Sequence, residues 1–124
     1  MGSSLERGSR YHFRFAEIAA REAQRVLPFY EKEHPGDERP RLAVEAIRDW
    51  SRGQRELGMT EVRRLSLDAH AAAREARTDA ARFAARAAGQ AVATWHVPTH
   101  AMAVPIYACK AEKASWESRV RAKP

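Results

Sequence analysis

Alanine dominates the middle of this chain and limits the folds that the chain can adopt. Residues 69–93 contain thirteen alanines among twenty-five positions. Alanine has the strongest intrinsic helix propensity, and its small side chain lets two helix axes approach closely. Each alanine buries little apolar area, so larger side chains must fill the gaps between the helices. We expect these side chains to be Phe83, Trp95, Met102, Ile106, Tyr107 and Trp116.

The hydrophobic pattern on both sides of this segment predicts several helices. Residues 13–33 place apolar side chains at spacings of three and four, which is typical of an amphipathic helix. Pro28 lies within that stretch and lacks an amide hydrogen, so it predicts a kink or an early end. The segment EHPGDERP forms the first loop. Further helices are predicted at about residues 40–52 and 60–76, from residue 78 onward, and at about residues 99–115.

Strand signals are almost absent from the sequence, which has no long alternating β-branched run and no Asn-Gly or Asp-Gly turn. With 124 residues, the chain is long enough for one hydrophobic core. We therefore predict an all-α fold, a single-domain bundle of about five antiparallel helices. Helical-repeat-like packing is an alternative, although no clear internal repeat is found. The predicted division is a flexible N-terminal segment at 1–12, the bundle at 13–115 and a basic C-terminal tail at 116–124.

The formal net charge of +6 is concentrated near the C-terminus. Residues 113–124 carry four basic residues against one acidic residue, whereas residues 1–12 carry two against one. We expect any nucleic-acid binding to be weak and non-specific, through this basic tail. No apolar run is long enough to cross a membrane and no secretory signal is recognisable, so we expect a cytoplasmic protein. Cys109 is the single cysteine, which fits a reducing compartment.

Two histidines, His96 and His100, stand four positions apart around Pro98 in the motif HVPTH. Such a pair could bind a metal or act as acid and base, but residues 80–111 contain no Asp or Glu to orient a ligand or a base. No catalytic or nucleotide-binding motif is present elsewhere. We expect no catalytic residue, no metal and no cofactor. A metal or small-molecule site built on His70, His96 and His100 remains an alternative.

The same carboxylate-free stretch predicts an enclosed helical hairpin. Its polar residues are expected to be buried and hydrogen-bonded at the hairpin corner, because an unpaired buried polar group is costly. Antiparallel pairing of the last two helices would put Gly89 opposite Tyr107 and leave room for the tyrosine ring. Cys109 is expected to be a small core residue. The polar residues in question are Gln90, Thr94, His96 and His100.

Three segments, RPRLAVEAIRDWSRG, DAHAAAREA and AAGQAVATWHVPTHAMAVPIYACKA, carry a resemblance. Together they resemble a family of bacterial immunity proteins, the immunity-protein-like all-helical domains of toxin–immunity systems. The resemblance covers about residues 13–113. It assigns a structural or recognition role to polar and aromatic residues at the matching positions, which are Arg39, Glu45, Trp50, His70, Gln90, Thr94, His96, His100 and Tyr107.

The resemblance implies that the protein binds a cognate toxin stoichiometrically and neutralises it, without being an enzyme. The sequence has eighteen arginines against four lysines, and arginine is the better cation for protein interfaces. Because the body of the chain is not acidic, we expect a neutral or acidic target and not a nuclease blocked by nucleic-acid mimicry. The alternative function is that of a small helical protein associated with nucleic acid.

Overall fold

A computed structural model describes residues 8–123, and every regular element in this part of the chain is helical. The prediction of an all-α bundle of about five helices is confirmed. A 3-10 turn, Pro98–Met102, precedes the last helix. The helices are α1 (Arg10–Glu31), α2 (Arg39–Ser51), α3 (Met59–Glu75), α4 (Asp79–Ala93) and α5 (Ala103–Ala122).

Helix α4 lies at the centre of the bundle and contacts all four other helices. Around it, α3 packs beside α2, α2 beside α1, and α1 beside α5. Helices α3 and α5 do not contact each other anywhere in residues 8–123. The other helices therefore surround α4 incompletely, and one strip of its surface lies open between α3 and α5.

The alanine content of α4 explains its central position. Ala81, Ala84, Ala85, Ala88 and Ala91 are each fully buried, with no exposed surface. Small side chains on several faces of one helix let several neighbours approach its axis. Bulkier core volume comes from the surrounding helices, whose largest fully buried side chains include Tyr30, Leu27 and Ile47.

The expected space-filling side chains are only partly in the core. Trp95 is buried, and the half-buried Phe83 and Tyr107 pack against the core. The prediction was wrong for Met102, Ile106 and Trp116, which are 71%, 57% and 59% exposed.

Ile106 and Trp116 are exposed because the apolar residues of α5 are spread around its circumference, and Met102 lies in the 3-10 turn before it. Only the face formed by Val104, Ala108 and Ala111 is covered, and the helices that cover it are α1 and α4. Cys109 follows Ala108 and points about 100° away from it around the helix. It is therefore exposed, contrary to prediction.

The helix ends also differ from the predicted ones. Helix α1 starts at Arg10 with Ser9 as its N-cap and continues past Pro28 to Glu31, so the proline does not end it. Helix α5 starts after the 3-10 turn and continues through most of the expected tail to Ala122. Pairs from Glu117 to Lys113 and Arg121, four residues away on either side, support this extension. The flexible segment was expected at residues 1–12, but residues 10–12 already belong to α1. Residues 1–7 of that expected segment lie outside the described residues.

Candidate functional site

The open strip of α4 is the floor of a groove whose walls belong to other elements. Phe83, Arg86 and Gln90 are half-buried and share one face of α4, at spacings of three and four. Helix α3 supplies one wall, and the 3-10 turn and α5 supply the other. We call this surface the α4 groove and define it by six residues: His70, Phe83, Arg86, Gln90, His100 and Tyr107.

His70 of α3 crosses onto α4 at the only position in α4 that has no side chain. A Cβ atom built on Gly89 would lie 2.6 Å from Nε2 of His70 and 2.8 Å from its Cε1. The ring that Gly89 admits is therefore His70 and not Tyr107, and that prediction was wrong. Helix α3, not α5, covers this side of α4, as a bond from Ser66 Oγ to the Gly89 carbonyl also shows.

The imidazole of His70 is hydrogen-bonded to Arg86, with 2.8 Å between Nδ1 and a terminal guanidinium nitrogen. Because a guanidinium has only donors, Nδ1 accepts and the ring proton of neutral His70 lies on Nε2. Burial, together with the positive charges of Arg86, Arg74 and His100, lowers the pKa of His70 to about 4. His70 is therefore neutral near neutral pH and leaves the charge of Arg86 uncompensated.

The far end of the groove holds a second hydrogen-bonded pair. His100 Nδ1 lies 2.8 Å from Oε1 of Gln90. The amide oxygen of a glutamine only accepts, so Nδ1 of His100 donates. His70, Gln90 and His100, three residues predicted from the sequence, thus lie in one groove.

Aromatic rings and an ammonium group mark the end of the groove near the start of α4. Phe83 and Tyr107 stack with their ring centroids 6.3 Å apart. Lys110 of α5 places its Nζ 5.6 Å from each of the two centroids. This geometry favours cation–π attraction and holds an apolar surface beside a positive charge.

The other predicted residues of the helical hairpin do not line this groove. His96 is exposed, so the prediction that it is buried was wrong; it lies beside Met59 and Leu67, close to the start of α3. Thr94 is fully buried, and its hydroxyl donates to the Gln90 carbonyl over 3.3 Å. Trp50 of α2 is buried and stacks on Phe13, with 4.4 Å between ring centroids.

Arg39 connects three parts of the bundle. Its guanidinium binds Asp37 in the loop before α2 at 2.7 Å and Glu75 at the end of α3 at 3.0 Å. The hydrogen bond from Arg39 holds the pKa of Asp37 well below its usual range. Burial and the bond to Asp37 raise the pKa of Tyr30 to about 12. This network joins α1, α2 and α3 at one end of the bundle.

Glu45, the remaining residue singled out from the sequence, lies on α2. Its carboxylate is 3.8 Å from the guanidinium of Arg41. Arg41 binds Glu31 more closely, at 2.6 Å. Glu45 therefore contributes a weak surface pair on α2 and does not lie in the α4 groove.

Two residues that the sequence analysis did not single out hold important positions. His12 is fully buried; its Nδ1 accepts from the Gly8 amide and its Nε2 donates to the Thr94 carbonyl at 2.7 Å. A signal existed, because His12 continues the buried stripe of α1 by one turn toward the N-terminus. Arg86 could have been found as one of two arginines within the carboxylate-free stretch.

Within residues 8–123, no three His, Cys, Asp or Glu side chains come together as a group that could hold a metal ion. In the same part of the chain, no helix has the length and apolar character needed to span a membrane.

Fold and site together define a small all-α domain with a histidine- and arginine-containing groove along its central helix. Residues 8–123 match a family model described as "Imm-5 like putative immunity protein". The match covers nearly the whole chain, so the chain belongs to this family, as its motifs predicted. Comparisons with curated proteins and with solved structures found no match.

Proposed function

We propose that the protein binds a cognate bacterial toxin stoichiometrically and neutralises it without turnover. Membership of the immunity-protein family over residues 8–123 carries this proposal. We place this action in the cytoplasm, since a single cysteine fits a reducing compartment. No substrate and no cofactor are part of the proposal.

The packing of the bundle supports a role as a rigid inhibitor. Helix α4 is held by four other helices, and no buried side-chain nitrogen or oxygen atom in residues 8–123 lacks a hydrogen-bond partner. A surface that is already ordered loses little conformational entropy when it binds, which favours a tight complex. Arginine and aromatic side chains dominate the binding energy of most interfaces, and the α4 groove combines Arg86, Phe83 and Tyr107.

Co-expression tests the proposal directly. Each candidate toxin encoded in the genes next to that of the chain would be co-expressed with it, and growth and complex formation would be measured. We expect growth to be restored and a complex of fixed stoichiometry to elute from size-exclusion chromatography. Ala85→Asp is the control, because a charge at this fully buried position should unfold the bundle and abolish protection. Absence of both rescue and complex with the unaltered chain would refute the proposal.

A further inference from the structure

We propose that the α4 groove is the surface that meets the partner, and that it receives an acidic segment whose carboxylate pairs with Arg86. This inference rests on the proposed function, since the partner is taken to be the toxin. It adds the location of the interface and the chemistry of the group that is recognised.

The charge of Arg86 is uncompensated within the described chain. None of the ion pairs formed within residues 8–123 involves this arginine, although its side chain is half-buried. Other partly covered arginines behave differently: Arg39, Arg41 and Arg55 each bind a carboxylate at 2.7 Å or less. Charged groups that lose water normally gain a partner of opposite charge. Arg86 lacks one within the described chain.

The guanidinium of Arg86 is oriented by its hydrogen bond to His70. His70 is neutral and accepts one N–H through Nδ1, which fixes the orientation of the guanidinium plane. A guanidinium has five N–H donors, so the remaining ones can bind both oxygens of a carboxylate. The ring reaches this position only because Gly89 has no Cβ. Arg86 is thereby oriented before any partner arrives.

The helices around the groove carry further positive charge that is not neutralised. Arg74 of α3 and Lys110 of α5 form no ion pair with a carboxylate in residues 8–123. Every acidic residue of α3, α4 and α5 is already paired with an arginine or lysine of residues 8–123. The pairs are Glu61 with Arg55, Asp68 with Arg64, Glu75 with Arg39, Asp79 with Arg82, Glu112 with Arg25, and Glu117 with Lys113 and Arg121. The groove therefore attracts an acidic partner without internal competition.

A protein segment fits this surface better than nucleic acid does. Nucleic-acid backbones are bound by several cations that track successive phosphates. Here one guanidinium, that of Arg86, lies on α4 between the Gln90–His100 pair and the apolar surface of Phe83 and Tyr107. The other two unpaired cations, Arg74 and Lys110, lie on separate helices, α3 and α5. An acidic side chain with an apolar or aromatic neighbour in its own chain would match the two parts of the groove.

The direct test uses hexaglutamate and the purified full chain. The side-chain Nε–H signal of Arg86, assigned through its loss in Arg86→Gln, would be followed by NMR during titration. We expect a saturable shift, and binding at least about tenfold weaker in Arg86→Gln. Arg64→Gln is the matched control: it removes the same charge from an exposed position of α3, where Asp68 lies 4.0 Å away, and should leave binding unchanged.

The outcomes separate this inference from the proposed function. No shift of the Arg86 signal, equal binding by Arg86→Gln, or tighter binding of oligothymidylate than of hexaglutamate would overturn the inference. Circular dichroism of both variants shows whether they are folded, and Arg86→Lys, which keeps the charge but not the bidentate geometry, should bind with intermediate affinity.

If hexaglutamate binds at Arg86 but co-expression gives no rescue, the proposed function fails and the carboxylate site stands. If the unaltered chain rescues growth and Arg86→Gln protects equally well, the proposed function stands and the inference that the partner binds at Arg86 fails.

Discussion

Replacing Gly89 by alanine should change the stability of the fold through two opposing effects, a clash with His70 and a gain in helix propensity. The new methyl carbon would lie 2.6 Å from Nε2 and 2.8 Å from Cε1 of His70, well inside van der Waals contact. The imidazole must move, and its hydrogen bond to Arg86 must break or lengthen. At the same time, alanine is favoured over glycine inside a helix by about 1 kcal/mol.

The magnitudes predict which effect wins. Overpacking costs about 1 to 3 kcal/mol, and a lost hydrogen bond costs about 0.5 to 1.5 kcal/mol. After the helix-propensity gain is subtracted, Gly89→Ala should lower the free energy of unfolding by about 1 to 3 kcal/mol. In a His70→Ala background the obstacle is gone, so the same substitution should raise the free energy of unfolding by about 1 kcal/mol.

Urea unfolding of the four proteins, followed by far-UV circular dichroism, measures this cycle. Gly58→Ala is the control, because no atom lies within 4 Å of a Cβ at that position. Gly58→Ala should change the free energy of unfolding by the same amount in the unaltered chain and in the His70→Ala background. If Gly89→Ala stabilises both backgrounds equally, the imidazole does not lie over Gly89, and the preorganisation of Arg86 loses its basis.

Two further stability predictions concern the buried and half-buried histidines. His12→Phe keeps a ring of similar size but leaves the buried Thr94 carbonyl without its donor, so urea unfolding should show a loss of about 1 to 3 kcal/mol; an unchanged midpoint would contradict this role. The pKa of His70 is 6.5 in the unfolded chain and about 4 in the folded chain. Between pH 6.5 and about pH 4 the unfolded state therefore binds more protons than the folded state. The free energy of unfolding falls as the pH is lowered through this window. The full linkage is about 3 kcal/mol, which solvent screening at this half-buried site reduces to about 1 to 2 kcal/mol. Urea unfolding at a series of pH values should show that the free energy of unfolding of His70→Gln falls less on acidification than that of the unaltered chain. If the two proteins give the same pH profile, His70 is not desolvated in the fold.

The fold was largely predictable because its signals are local and repeated. The apolar stripe of α1 and the alanines of α4 determine helix position and burial within each segment. The exposed face of α5 was not predictable in the same way. Met102 and Ile106 are as apolar as core residues, and their exposure follows from the absence of a helix packed on that side. Which faces are covered depends on the topology and not on the segment itself.

The site was predictable in its residues but not in its geometry. Of the residues singled out, Gln90 and His100 are hydrogen-bonded to each other and His70 lies on the same strip of α4, yet His96 lies outside the groove. An irregular turn separates α4 from the 3-10 turn, so the four-residue spacing of the histidines does not place them on one helical face. The pairing of Gly89 with His70 required knowing that α3 and α5 flank α4 on opposite sides of the open strip. Both α3 and α5 are sequence neighbours of α4, so the order of the helices does not decide which of them lies over Gly89.

Three unfavourable features coincide on this strip of α4, and their coincidence bears on function. Gly89 costs about 1 kcal/mol of helix propensity relative to alanine. His70 is held in an environment that disfavours its protonation, and half-buried Arg86 has no carboxylate partner within residues 8–123. With a small side chain in place of His70, alanine at position 89 would favour the helix by about 1 kcal/mol, and a carboxylate partner for Arg86 would compensate its charge. Such local conflicts with stability are expected at functional sites. Because these features place one guanidinium without a carboxylate partner at an open strip of α4, they support the proposed binding of an acidic segment.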